Sequence, residues 1–490
     1  MNLDNLKNQT QNKKTISSFF WSAADRFLAQ GFQLFFNIIL ARILMPEDFG
    51  LIGILSIFLV FAQIFIDSGM GSGLVQKQNR TDIDYSTVFL FNVTLSFILY
   101  VILFFSSPLI ALFFGRVELT LLTRILGLNL VINSFSIVQR SILTINLDFK
   151  IFAKVNSLSI LISGIVAVVF ASFGFGVWSL VFQNLLMSLL TVFLFFYYGN
   201  WKFSFKFSTT SFNNLFSYGS KLLFASLYST SLNEVYNLSI SKIYEAKIFG
   251  YYTNAKKFSD AISETITSVL QQVTFPILSS LQSDKERLIV VYVKLIRFTS
   301  FIVMPFMTLF ALIADPFVRL VLTDKWEDSI PILQYLCFAR MITPLSAVNL
   351  NILKAVGRSD LFLKVDLVKF PLIILVLWIT IPHGIIPMVI GNLIVSLISF
   401  FINSYMPGKL FGYGALAQIK DMFPIAMSTI LMALFTYLAM GLFEDSFSKL
   451  IFGAIVGISS FLLFCYFLEL REFKEIIQYF KDLSNNYKFR

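Results

Sequence analysis

Arg26, Gln30, Gln33 and Asn37 sit at i, i+4, i+7 and i+11 in an otherwise apolar run, so a helix stacks them on one face. Ser226, Thr230, Asn233 and Asn237 repeat that pattern 200 residues later. Polar side chains inside a membrane span are costly unless they face protein or water. Two such stripes facing each other would line a hydrated cleft; hydrogen bonding that only holds helices together is the competing reading. Arg140, Lys221, Arg297 and Arg340 add cations, and cations outnumber carboxylates among the intramembrane residues. A net-positive cleft suits an anionic head group, and a guanidinium can grip several phosphate oxygens at once. Arg124, Lys364 and Lys369 lie near span ends, where snorkelling to the interface is an equal reading. Glu234, Asp260 and Glu264 are the candidates for a carboxylate that binds H+ or Na+. Lys257, Asp260 and Glu264 also have the spacing of a structural ion-pair ladder.

These residues need a membrane-spanning frame, and the composition supplies it. The chain has 490 residues, 57% of them hydrophobic and only 13% charged, where soluble proteins carry about a quarter charged. About fourteen apolar runs of roughly 20 residues predict an all-α, polytopic membrane protein. The first run leads directly into more spans and reads as a retained helix, not a signal peptide. Segments containing Lys7, Lys13, Lys14, Lys77, Arg80, Lys150, Lys154, Lys202, Lys206, Lys285, Arg287, Lys354, Arg358, Lys409 and Lys420 fall on one side, and the positive-inside rule makes that side cytoplasmic, together with both termini. The formal charge of +10 is scattered over short loops, which argues against nucleic acid as a partner. Cys337 and Cys465 lie in apolar runs and offer neither a disulfide framework nor a metal cluster. The one histidine, His383, lies in a Pro-containing connection, which leaves little room for acid–base or zinc catalysis.

The chain also repeats itself. Asn37, Arg42, Ile43, Phe49 and Gly50 match Asn237, Lys242, Ile243, Phe249 and Gly250 at an offset of 200. Ile142, Leu143, Phe152, Lys154 and Val155 match Ile352, Leu353, Phe362, Lys364 and Val365 at 210. Six spans separate the copies, so the halves share one orientation with a pseudo-two-fold along the membrane normal. The expected organisation is an N-lobe over 1–210, a C-lobe over 211–408, and two further helices with an amphipathic tail over 409–490. Phe473, Ile476, Ile477 and Phe480 share one face of that tail, as in an interfacial helix.

The stretch from Ala41 through Pro46, Glu47 and Asp48 to Gly50 resembles the segment after the first helix of bacterial polysaccharide transporters. The segments Asp67–Gly71 with Val75 and Gln76, Phe275–Ser279 and Lys354–Asp360 are similarly placed. Across nearly the whole chain the sequence resembles the Wzx-type flippases of the multidrug/oligosaccharidyl-lipid/polysaccharide exporter superfamily. That resemblance implies two six-helix lobes working by alternating access in the bacterial cytoplasmic membrane. It implies a cargo of undecaprenyl-pyrophosphate-linked oligosaccharide for lipopolysaccharide O-antigen, capsule or exopolysaccharide, with polymerase or export machinery as possible partners besides membrane lipids. No cofactor beyond a coupling H+ or Na+ and no enzymatic activity are implied. A lipid II flippase and a drug or cation antiporter of the same superfamily are the nearest alternatives. A membrane polymerase or ligase is disfavoured, because it needs a large external loop and no inter-helix connection here exceeds about 20 residues.

Overall fold

The computed structural model describes residues 3–67, 69–199, 201 and 203–488; the side chains of residues 3–20, 272, 273, 275, 276, 359, 360, 362, 363, 479–481 and 483–488 lie outside that description. Lys7, Lys13, Lys14, Phe275, Pro276, Ser359, Asp360, Phe362 and Phe480, which the sequence reading uses, are among those side chains, and Lys202 lies outside the described residues. Among the described residues the regular structure is helical throughout. A lipid solvent requires this, since a helix satisfies its backbone polar groups internally.

Two compact units divide the chain, Met1–Gly250 and Tyr251–Arg490. The first holds α1 (Leu3–Ile43), α2 (Pro46–Asp67), α3 (Met70–Gln76), α4 (Asp82–Phe114), α5 (Glu118–Leu126), α6 (Leu128–Ser134), α7 (Ile137–Ile145), α8 (Phe149–Ser172), α9 (Val177–Tyr198) and α10 (Thr209–Ile243). The first turn of α11 (Ala246–Ser280) closes it. The second holds the rest of α11 with α12 (Lys285–Leu312), α13 (Ala314–Phe317), α14 (Ser329–Ala355), α15 (Ser359–Thr380), α16 (Ile385–Phe411), α17 (Ala415–Met440), α18 (Ser446–Phe467) and α19 (Arg471–Lys488).

Among the described residues, eleven helical segments are long and apolar enough to cross a membrane, with α2–α3 and α5–α7 each counting once. The remaining long helices, α1, α10 and α11, have 41, 35 and 35 residues and are too polar to qualify on composition. They carry both polar stripes and all three candidate coupling carboxylates. Their length still exceeds the roughly 20 residues a span requires.

Helix boundaries reproduce the repeat. α1 and α10 end at Ile43 and Ile243, and α2 and α11 begin at Pro46 and Ala246, offsets of 200. α7 and α14 end at Ile145 and Ala355, and α8 and α15 begin at Phe149 and Ser359, offsets of 210. In the first unit α1 packs on α8, α8 on α9, and α10 on α2, α3 and α4. The compact division therefore falls after α10, at Gly250, while the sequence repeat divides at 210. In the second unit α14 packs on α12 and α16, and α17 on α12 and α18.

Local chemistry sets several ends. A capping box joins Thr81 and Asp84 at the start of α4, and Lys77 Nζ lies 2.7 Å from Asp84 Oδ1. Arg80 donates to the carbonyls of Leu74 and Val75 at 2.6 and 2.8 Å, which satisfies the end of α3. Asp445 caps α18 by accepting from the Ser448 amide at 2.7 Å. Where α2 meets the first turn of α11, only glycine fits. A Cβ on Gly50 would lie 1.8 Å from the Ala246 carbonyl oxygen, and one on Gly250 1.8 Å from that of Pro46. Large apolar side chains such as Phe105 (73% exposed) and Trp378 (74%) cover the outer surface, as a lipid-facing protein requires.

Candidate functional site

The first unit holds an open cavity of about 1150 Å³ lined by both polar and apolar side chains, with walls from α2, α3, α6, α7, α8, α9 and α10. Gln63, Asp67, Asn133, Arg140, Asn184 and Ser226 supply its main polar groups. Arg140 comes from a span that is broken into three helices, at Gly127 and at Phe135–Ser136. Ser134 and Ser136 hydroxyls donate to the carbonyls of Val131 and Asn133 at 2.7 and 2.8 Å. Such back-bonding competes with the helical ladder and bends it. The bend begins one turn before Arg140.

Both neighbours of Arg140 hold α7 in place. Gln139 is buried and donates Nε2 to the Trp201 carbonyl at 2.9 Å. Ser141 Oγ donates to the Ile137 carbonyl at 3.0 Å and lies 3.4 Å from that of Gly71 on α3. The Arg140 guanidinium stands 5.3 Å from the Phe195 ring centroid, a cation–π contact, and remains solvent-accessible. Among the described residues it makes no ion pair; Asp67 and Asp25 are the carboxylates whose charges act on it. Asp67 accepts from Gln63 Nε2 at 2.9 Å, and Asp25 accepts from Asn156 Nδ2 at 2.9 and 3.2 Å. Both carboxylates are therefore held in place while the guanidinium donors are left open.

The other sequence-predicted residues divide between exposed faces and internal pairs. On α1, Arg26 and Gln33 are exposed, Gln30 is half-buried and Asn37 is buried, and none of the four lines this cavity. On α10, Lys221 and Asn233 are exposed, and Asn237 is buried and donates to Glu234 Oε2 at 2.6 Å. Arg340 on α14 is paired with Asp260 on α11. Arg297 on α12 lies 2.5 Å from Glu472 of α19, a buried carboxylate. Glu264 is solvent-accessible on α11. Lys369 lies 2.7 Å from Asp366, and Arg124 stacks 4.4 Å from the Phe104 ring centroid and donates to Ser107 at 3.0 Å.

The cavity lining thus carries one cation, Arg140, and one anion, Asp67, where the sequence predicts a cationic surplus. Asp67, Gln63, Asn133 and Asn184 escape the sequence reading as site residues. The usable signal was Asp67 at the end of an apolar helix, which reads there only as part of a family-like segment. Among the described residues no cluster of three or more His, Cys, Asp or Glu is placed to hold a metal ion.

A family model described as polysaccharide biosynthesis protein matches residues 39–331. A membrane protein of the cps region in Klebsiella pneumoniae, itself uncharacterised, is 29% identical over 406 residues, covering 80% of this chain and 82% of its own. The lipopolysaccharide biosynthesis protein WzxC of Escherichia coli K12 is 25% identical over 359 residues, 73% of each chain. Among solved structures, the lipid II flippase MurJ in an inward closed conformation superposes with a TM-score of 0.75 at 16% identity, covering 93% of this chain and 98% of that one.

Proposed function

Because the chain belongs to the polysaccharide biosynthesis protein family, we propose that it is a flippase for lipid-linked oligosaccharide, with the open guanidinium of Arg140 receiving the acidic part of the cargo. The cargo class is carried over from the relatives' names: one serves lipopolysaccharide biosynthesis, and a neighbour in fold flips lipid II. A sugar head and its pyrophosphate cannot cross hydrocarbon unaided, since each unpaired charge costs several kcal/mol. The polar groups of the cavity replace part of the lost water, and its volume of about 1150 Å³ is generous for a multi-ring polar head. The charges of Asp67 and Asp25 act on Arg140 and partly offset its own. An arriving phosphate or sugar acid takes over that role, with the planar donors of arginine matched to its oxygens.

The carrier lipid in this reading is undecaprenyl pyrophosphate, movement is by alternating access, and the protein lies in the bacterial cytoplasmic membrane with both termini inside. Polysaccharide polymerase or export machinery takes the product onward. The cargo leaves covalently unchanged, so no enzymatic step is assigned. Glu264, the accessible carboxylate on α11, is the group we assign to coupling with H+ or Na+, ahead of Glu234 and Asp260, which already have partners. An inside-negative potential favours outward movement of an anion by about 2.3 kcal/mol per charge per 100 mV.

Proteoliposomes loaded with a pyrophosphate-linked oligosaccharide test the reading. Translocation is expected with the wild-type chain, slows when the potential is collapsed, and is lost with Arg140→Ala. Translocation that persists unchanged in Arg140→Ala overturns the assignment.

A further inference from the structure

A second, chemically different site lies in the second unit and shares no residue with the cavity. α15 and α16 pack side by side and leave a groove of about 400 Å³ lined by Lys364, Val365, Val368, Phe401, Ile402, Tyr405 and Met406. Helical geometry gives this groove a direction. α15 begins at Ser359 and α16 ends at Phe411, so Lys364 and Tyr405 lie near the same end of the antiparallel pair, and Val368 and Phe401 one turn deeper. Lys364 lies in the second turn of α15, close enough to the helix start for its long side chain to reach an interfacial phosphate. Its ammonium is exposed and makes no ion pair among the described residues, while Lys369 on the same helix is paired with Asp366.

Beyond the rim the surface stays apolar and open. Tyr405 (64% exposed), Val368 (59%) and Phe401 (48%) lead on to the exposed Leu375 and Ile379 of α15 and to Ile398 and Ile394 of α16. Those positions recur at helical spacing, so they form one continuous strip along both helices. One cation and one phenol hydroxyl at the rim, with a hydrocarbon floor below, match the outline of a lipid that carries a single phosphate charge.

We propose that the α15–α16 groove is a binding site for an anionic glycerophospholipid, with its phosphate at Lys364 and the Tyr405 hydroxyl and an acyl chain along Val368 and Phe401. A pyrophosphate-linked isoprenoid fits less well, because one lysine meets only part of its charge. The assignment does not depend on the transported cargo.

Native mass spectrometry of the full chain in detergent, titrated with phosphatidylglycerol and with phosphatidylcholine of the same acyl chains, tests it. The wild type is expected to bind one phosphatidylglycerol about fivefold more tightly than phosphatidylcholine, the preference one near-surface lysine provides. Lys364→Ala removes that preference, and Lys364→Arg keeps it. Val368→Trp fills the groove and lowers binding of both lipids, so the floor is tested even if the alanine variant folds poorly. Equal affinities in the wild type, or a preference that survives Lys364→Ala, overturn the proposal. Undecaprenyl phosphate displacing bound phosphatidylglycerol at lower concentration than phosphatidylglycerol itself overturns the choice of occupant.

Discussion

In the first unit Arg140 faces an open cavity, stacked on Phe195, with its carboxylate neighbours Asp67 and Asp25 held by Gln63 and Asn156. In the second unit Arg340 and Arg297 are each closed onto a carboxylate, Asp260 and Glu472. All three arginines interrupt apolar helices, and in sequence they look alike. What separates them is whether a carboxylate from a distant helix arrives within bonding distance. A paired guanidinium stabilises the bundle and has few donors left, whereas an unpaired one can bind an anion. A similar contrast runs through the neutral polar groups. Tyr292, Asn349 and Gln418 bond to one another in a buried network, while Asn133 and Asn184 line open space.

Arg140→Ala separates the two classes most strongly. Losing a charge-assisted contact worth about 2–3 kcal/mol lowers translocation roughly 100-fold, with unfolding temperature unchanged, as read by flux and by thermal denaturation of the same preparation. Arg340→Ala should do the reverse to stability. Asp260 is left without its partner, at about 2 kcal/mol for a site that is partly accessible. The double variant Asp260→Ala/Arg340→Ala should recover part of that loss in detergent unfolding; no recovery would dissolve the distinction between paired and open arginines.

Within the first unit, Gly50→Ala forces its new methyl against the Ala246 carbonyl and should destabilise by about 1–3 kcal/mol. Gly31→Ala, with nothing within 4 Å of the added carbon, should not. The smallest effect belongs to a paired arginine outside the membrane. Arg319 lies 2.6 Å from Glu327 and 2.8 Å from Asp315, and it holds the Glu327 carboxyl below its ordinary value of 4.5. A lowered folded pKa contributes stability above pH 4.5 that is lost as pH falls through the folded value. Both groups are exposed, so Glu327→Gln should flatten the acid limb of the unfolding curve only slightly.

Most helix positions were legible because lipid imposes length and apolarity on all the long membrane helices but α1, α10 and α11, and the repeat was legible because its helix ends recur at the same offsets. Arg140 was legible as an arginine inside an apolar run. Its availability was not, since that depends on which carboxylates reach it. Arg297 and Glu472 lie 175 positions apart, and Arg340 and Asp260 80 apart, and no periodicity connects them. The α1 stripe has the spacing of a cleft wall, yet the cavity of the first unit is built by α2, α3 and α6 to α10. The role of Asp67 is hidden in the sequence, because a carboxylate ending an apolar helix looks like the start of a loop.

Binding of a pyrophosphate-linked oligosaccharide to the purified chain, compared between Arg140→Ala and Arg297→Ala, tests the contrast most directly. A loss of at least tenfold in affinity for the first variant, with the second within about twofold of wild type, is the expected result. Equal losses in both, or none in Arg140→Ala, would contradict the assignment of Arg140 as the open cation.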